Sequence, residues 1–350
     1  MSGKERAFPP SAGPIDAKGL APWSRSGEGA DECAGTVVGV EIGATKQQIA
    51  LVDERRRVTH GVIEKIPLKR GAQDILDWLE TALPPLLAGT AAPCGIGVGF
   101  GGIVRNPQGE TLRSIQVDGW DDFPLKDWFE KRFSLPCRVY NDTYCGGYGE
   151  LLLGAGRDAR RFFYSNIGSG IGGSFFPDRK PLNGNGYGNA YFGHTYIPDR
   201  TRREPFAFRK VEEACSGLSI ESRLRTPGYV PEASALWRLA DGDPGQFTCK
   251  LLGEAVEQGD GFALGEIKNV AQDYALGLAN LVALLSPDVV AIGGGVAHLG
   301  ELLLKPLREY ANELACFSAK DRFQVRVCQL ADSAVAVGAA LMMRDGVALE

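Results

Sequence analysis

Apolar and polar positions along the chain fall into short, separable patterns. From about Thr36 to Val52, apolar residues run up to a small polar turn at 43–46 and away from it, which predicts a β-hairpin. Asp53-Glu54-Arg55-Arg56-Arg57 then reads as an exposed turn. Between Gln73 and Leu83, the residues Ile75, Leu76, Trp78, Leu79 and Leu83 recur at helical spacing, and Pro84-Pro85 kinks or ends that helix. Residues 94–100 and 137–140 read as strands, as do 161–166 and 171–176. A long helix is predicted over about 261–286, where Leu264, Ile267, Val270, Tyr274, Leu278 and Leu281 repeat every three or four residues. A buried strand at 289–292 runs into Gly293-Gly294-Gly295 and then a helix, and a last helix covers 334–341. No repeat with a period of 20–50 residues is visible.

The chemistry gathers where these patterns break. Asn141-Asp142 follows the apolar stretch 136–140 and opens the small-residue segment Thr143-Tyr144-Cys145-Gly146-Gly147. A strand that ends on a carboxylate and passes into a Gly-rich helix sets that carboxylate at the mouth of a cleft. There it can take the proton of a hydroxyl as the hydroxyl attacks phosphorus. Three glycine-rich turns accompany the pair. In Glu41-Ile42-Gly43-Ala44-Thr45-Lys46 the small residues let backbone N–H groups approach phosphate oxygens, with the Thr45 hydroxyl and the Lys46 charge beside them. The second turn, Gly168-Ser169-Gly170 and on to Gly173, also lies between apolar strands, and the third is the triple glycine at 293–295. A helix N-terminus behind such a turn suits an anionic or nucleotide ligand.

Gly168, Gly170 and Gly173 fit G-x-G-x-x-G, and so do Gly97, Gly99 and Gly102. In a chain with 46 glycines such matches arise by chance. A dinucleotide fingerprint also needs a helix behind it. Here Ser174-Phe175-Phe176-Pro177-Asp178 reads as a strand ending in a turn, which argues against a Rossmann dehydrogenase.

Taken in order, the 41–46 turn, Gly119-Trp120, Asn141-Asp142, the 168–173 turn, Gly193-His194, the 293–295 turn and the final helix resemble the ROK family of sugar kinases and repressors, within the actin-like ATPase superfamily. The resemblance runs from about Thr36 to Arg344. It implies an α/β, two-domain actin-like ATPase fold (ribonuclease H-like) with an interdomain cleft. The domains would be an N-terminal α/β domain over 35–145, joined by the C-terminal helix at 334–346, and a C-terminal α/β domain over 146–333. It implies Asp142 as catalytic base, with Asn141, Gln116, Tyr191, His194 and Glu212 at the substrate ring. ATP would lie on Gly43, Ala44, Thr45, Lys46, Gly168, Ser169, Gly170, Gly293, Gly294 and Gly295. Glu41 would hold magnesium through a water, so ATP and Mg2+ are the implied cofactors. A homodimer acting on a small-molecule sugar or cyclitol is implied as well.

Departures from the family pattern bear on the substrate. The first turn usually carries Asp where this chain has Glu41, and a second Gly where it has Ala44. A Glu that contacts the sugar usually precedes the Gly-His pair, and here Tyr191 stands there. An Asn upstream of Gly-Trp is replaced by Gln116. Many members carry a zinc motif with Cys residues between Gly-His and the next Glu. Between His194 and Glu212 this chain has no Cys, so no zinc site is expected. The altered ring-reading positions favour a modified sugar, and among divergent members are kinases of C7-cyclitols in natural-product (antibiotic) pathways. The alternatives are an ordinary glucokinase or other hexose kinase, and a non-catalytic sugar-sensing protein.

Composition sets the outer bounds. At 350 residues the chain suits two domains with ample core. A net charge of −5 gives no sign of a nucleic-acid surface, so no nucleic-acid partner is expected. A sugar-binding repressor is not expected either, since the roughly 34 residues ahead of the first strand contain Pro9, Pro10, Pro14 and Pro22 and fit no helix-turn-helix. Those first residues, 1–34, read as a disordered tail. There is no run of about 20 apolar residues to span a membrane and no apolar signal core. Eight scattered Cys read as reduced, mostly buried thiols, which together with the missing signal points to the cytoplasm.

Overall fold

The structure is a computed structural model that describes residues 35–114, 116–184, 188, 190–202, 204 and 206–349. The expected disordered tail at 1–34 lies outside the described residues. The described chain divides into two compact units. One takes in residues up to Gly149, a short piece near 183–188 and everything from Asp332, while the other takes in 150–182 and the stretch to Ala331.

The first unit is built on a five-stranded sheet. Its strands are β1 (Thr36–Ile42), β2 (Gln47–Val52), β3 (Val58–Glu64), β4 (Pro93–Phe100) and, after a small hairpin of β5 (Ile103–Arg105) and β6 (Glu110–Arg113), β7 (Cys137–Asn141). Their order is β3-β2-β1-β4-β7. β1 and β2 form the expected hairpin, whereas β1, β4 and β7 run parallel. The central strands bury both faces, which is why β1 and β4 read as almost unbroken apolar runs. Helix α1 (Ala72–Ala88) lays Ile75, Leu76, Leu79 and Leu83 into the core. It continues past Pro84 and Pro85 rather than ending there. Both prolines face solvent, where water can take the carbonyls whose amide partners they remove. Helix α2 (Leu125–Phe133) follows, and α3 (Asp142–Leu153) begins directly on the end of β7.

The second unit carries a four-stranded sheet of β8 (Phe162–Ile167), β9 (Ile171–Phe176), β12 (Val289–Gly293) and β13 (Gln324–Val327), in the order β13-β12-β8-β9. β8 and β9 are an antiparallel hairpin, and β12 is parallel to both β8 and β13. A second small hairpin pairs β10 (Tyr196–Pro198) with β11 (Phe208–Lys210). The helices are α4 (Val211–Cys215), α5 (Gly217–Leu224), α6 (Ala235–Leu239), α7 (Cys249–Glu257), α8 (Gly261–Leu285) and α9 (Glu301–Leu314). α8 is the predicted long helix and the spine of this core. The triple glycine does not lead straight into an α-helix. A single 3-10 turn (Gly295–Leu299) intervenes, and Gly300, at φ 58°, breaks the chain before α9.

The chain's last helix, α10 (Ala334–Arg344), belongs to the first unit and lies on its sheet. Two glycines admit it. A Cβ on Gly39 would stand 1.8 Å from the Ala336 carbonyl oxygen, and one on Gly97 would stand 2.0 Å from that of Ala339. The glycine spacing in β4 therefore serves helix-on-sheet packing. No described helix is long and apolar enough to cross a membrane.

The thiols depart from expectation at one place. Cys137, Cys145, Cys215, Cys249 and Cys328 are buried and free and Cys316 is exposed and free, but Cys94 is disulfide-bonded. Spacing along a chain does not report pairing in space.

Candidate functional site

In the first unit, three parallel strands finish at one edge, the edge where parallel sheets bind ligands. Glu41 lies opposite Gly99 in the register of β1 with β4, and Phe100 lies opposite Asn141 in that of β4 with β7. The chain bends at Gly101, whose N–H bonds the Ile42 carbonyl (2.9 Å). A Cβ on Gly101 would sit 3.7 Å from Asp142 Oδ2, so the carboxylate points at this bare backbone. Asp142 is partly exposed at its surface yet closely surrounded. Loss of water pushes its carboxyl up to about 6, although the N–H groups of Thr143 and Asp142 itself and the Asn141 side chain oppose the rise. Such a group is ionised at neutral pH and ready to accept a proton.

Asn141 is already engaged. Its Nδ2 donates to the Gly102 carbonyl (2.9 Å), and its Oδ1 accepts from the Thr143 N–H (3.0 Å) and hydroxyl. The Asn141 side chain also hydrogen-bonds the Asp142 carboxylate, so the amide holds the base in place. Gln116 sits on an exposed loop with its N–H on Ser114 Oγ (3.3 Å). That loop is tied back through buried Trp120, which meets Phe100 edge-on at 5.3 Å.

The 41–46 turn is closed by charge. Lys46 Nζ lies 3.4 Å from Glu41 Oε2 and donates to the Asp332 carbonyl (2.7 Å). Gln48, its amide oriented by the acceptors around it, donates to Glu41 Oε2 and to the Asp332 carbonyl, each at 2.9 Å. Gln47 Nε2 closes the turn on the Gly43 carbonyl (2.8 Å). Glu41 is buried, and desolvation lifts it to about 7 against the pull of Lys46, with Asp142 adding to the rise. Ala44 packs toward the core and Thr45 is exposed.

In the second unit, the site residues collect around Ile171. Its N–H donates to Glu212 Oε2 (2.7 Å). A Cβ on Gly193 would come within 2.1 Å of its carbonyl oxygen, so glycine lets the 3-10 turn Phe192–His194 lie against it. The preceding turn is drawn tight by Gly168 N–H to the Gly170 carbonyl (2.9 Å), and Gly217 N–H bonds the Gly168 carbonyl (2.8 Å). Gly293 pairs with Asn166 in the β12–β8 register, and Gly294, at φ 86°, comes so close that a Cβ would lie 2.6 Å from the Ile167 carbonyl. Two of the glycine turns thus abut. A Cβ on Gly168 would meet nothing nearer than 3.9 Å and one on Gly295 nothing within 4 Å, so the protein's own packing does not require glycine at either place. Ser169 lies between the two glycines of the tight turn.

Tyr191 is 47% exposed, with its ring edge-on to His194 at 6.2 Å between centroids. Phe192 between them is buried against Phe163 and Tyr274, which fixes the segment. Between His194 and Glu212, described residues engage in ion pairs. Arg209 contacts Asp273 of α8, Arg200 lies 3.6 Å from the same carboxylate, and Arg202 lies 3.4 Å from Asp199. Among the described residues, no group of three or more His, Cys, Asp or Glu is placed to hold a metal.

Sequence reasoning missed Gln48, Asp332, Gly101, Ile171 and Gly217. Gln48 carried a faint signal as a polar residue inside an apolar strand. Asp332 carried none, since it lies 286 residues from the lysine it meets.

The chain is 29% identical over 317 residues to a glucokinase of Streptomyces coelicolor, covering 89% of this chain and 98% of that one. It is 27% identical over 318 residues to a glucokinase of Halalkalibacterium halodurans, covering 88% and 94%. Its structure is similar to that of a ROK family glucokinase from Streptomyces griseus in complex with glucose and AMPPNP, with a TM-score of 0.77 and 30% identity over 89% of this chain and 100% of that chain. The fold is that of the actin-like ATPases. The ROK family pattern matches residues 37–346, and the chain belongs to the ROK family.

Proposed function

We propose that this protein is an ATP-dependent kinase acting on a primary hydroxyl, and that its own substrate is a hexose-like carbasugar, a C7-cyclitol, used in natural-product biosynthesis. The observation that carries the kinase reading is Asp142, a carboxylate at the end of β7 that faces the bare backbone of Gly101. In this reading the hydroxyl oxygen bonds to the γ-phosphorus, the bond from that phosphorus to the β–γ bridging oxygen breaks, and ADP leaves. The hydroxyl proton passes to Asp142. The open glycines Gly168 and Gly295 leave room for nucleotide atoms where a side chain would stand. Magnesium bound with the nucleotide would neutralise its phosphates. Glu41 is the buried carboxylate that would hold one of its waters, and a cation there would relieve the desolvation that lifts its pKa.

The carbasugar reading rests on Tyr191. A carboxylate at that place would accept from two adjacent ring hydroxyls with charge-assisted strength. A half-exposed phenol offers one weaker acceptor, one donor and an apolar face. It suits a ring in which a hydroxyl is missing, moved or replaced by a carbonyl. The test is ADP release with ATP, magnesium and a panel of hexoses, N-acyl hexosamines and C7-cyclitols. Fastest turnover of a cyclitol is expected. Glucose turned over as well as any cyclitol would make this an ordinary glucokinase with an unusual pocket. No ADP release with any acceptor would leave a sugar-sensing protein.

A further inference from the structure

Glu212 is expected at the sugar, yet its carboxylate is bonded to the phosphate turn. Oε2 takes the Ile171 N–H at 2.7 Å, and Ile171 directly follows Gly170. A Cβ on Gly170 would come within 2.4 Å of the same oxygen. From the other side, Gly217 N–H holds the Gly168 carbonyl at 2.8 Å. The turn is therefore clamped between the start of α4, which carries Glu212, and the start of α5. Gly193, next to His194, closes on the Ile171 carbonyl.

We propose that Glu212 is a latch shared by the sugar subsite and the phosphate turn, so that sugar and nucleotide bind with positive coupling. The proposal rests on the kinase reading and deepens it. A carboxylate has two oxygens and several lone pairs. With Oε2 on Ile171, Oε1 remains to accept a ring hydroxyl. A hydroxyl bound there fixes the side-chain rotamer, which fixes the Ile171 N–H and the turn before it. Phosphates settling on the turn fix the carboxylate for the sugar in return. Coupling of this kind is reciprocal and typically amounts to about 5–150-fold in affinity. Glu212 is a positioning residue toward the nucleotide, and a group that touched only sugar would leave nucleotide binding in the absence of sugar unchanged.

The experiment is calorimetric titration of the full chain with ADP and magnesium, with and without saturating glucose. In the wild type, glucose should tighten ADP by about fivefold or more. Glu212→Ala should weaken ADP by about the same factor without any sugar present, and should abolish the effect of glucose. Glu212→Gln, which keeps an acceptor oxygen at the same reach, should restore most of the sugar-free ADP affinity. Gly170→Ala gives the reverse arm. Its φ lies outside the left-handed region, so Ala fits the backbone, and its methyl displaces the Glu212 carboxylate. Glucose affinity should then fall by about fivefold or more, although residue 170 touches no sugar. A folded Glu212→Ala variant with unchanged sugar-free ADP affinity overturns the latch, as does unchanged glucose affinity in Gly170→Ala. The second variant decides the matter if the first does not fold. A wild type that binds no ADP at all overturns the kinase reading, and the latch with it.

Discussion

Asp142→Asn separates catalysis from stability, because the desolvated carboxylate that serves one costs the other. Asn keeps the size of the side chain and one acceptor oxygen for the surrounding N–H groups, but it cannot take a proton. Loss of a general base costs about 10²–10⁴-fold in rate. Stability should move the other way. Burial raises the Asp142 pKa from 3.8 to about 6. The folded state therefore holds a proton that the unfolded chain has released, between about pH 4 and pH 6. This group's stabilising term is complete below about pH 4, is lost as pH rises to about 6, and is flat above that. The shift corresponds to roughly 3 kcal/mol, an upper bound because the partly exposed carboxylate keeps some water. At pH 8 the variant should be more stable than the wild type by up to roughly 3 kcal/mol, and at pH 4 by nothing. Denaturant unfolding at the two pH values measures this, alongside kcat with the best acceptor of the panel. The wild-type kcat/KM should also fall about tenfold per pH unit below about pH 6, where Asp142 takes its proton before the substrate arrives. Near-normal turnover would remove Asp142 as the base. An inactive variant destabilised at pH 8 would mean that the loss came from the fold.

Other perturbations probe the remaining parts. Plain glucose should trail the best cyclitol by about a hundredfold in kcat/KM, and Tyr191→Glu should narrow that gap from the glucose side; an unchanged ratio removes Tyr191 from ring recognition. Gly39→Ala drives a methyl into the Ala336 carbonyl and lifts α10 from its sheet, so a loss of about 1–3 kcal/mol in chemical denaturation is expected. Arg209→Met leaves the nearly buried Asp273 short of its closest counter-charge and should cost about 3 kcal/mol, whereas a neutral result would mean that Arg200 alone suffices. Elemental analysis of tag-free protein should find well under one zinc per chain, and a stoichiometric zinc that survives dialysis would refute the reading of 195–211 as a metal-free segment.

What the sequence determined by itself was local. The β1–β2 hairpin, the long helix α8 and the passage from β7 into α3 at Asp142 follow from side-chain period and small residues, which act over a few positions. The ordered set of motifs carried the family, since glycines, an Asn-Asp pair and a Gly-His pair keep their order in any fold that uses them. Tertiary structure decided what those residues meet. Gly97 and Gly99 look like half a nucleotide fingerprint, yet they make room for α10, which begins more than 230 positions later. Lys46 looks free for phosphate, yet it is held by Glu41 and by Asp332, because the last helix brings its N-terminal loop back to the first turn. Pro84 and Pro85 look like a helix end, and they are tolerated because that face of α1 is wet. Glu212 looks like a sugar ligand alone, and only the folded chain sets its carboxylate on the Ile171 N–H. Local periodicity is written in neighbouring residues. Partners dozens to hundreds of positions apart are fixed by which surfaces pack, and a single sequence carries no mark of that.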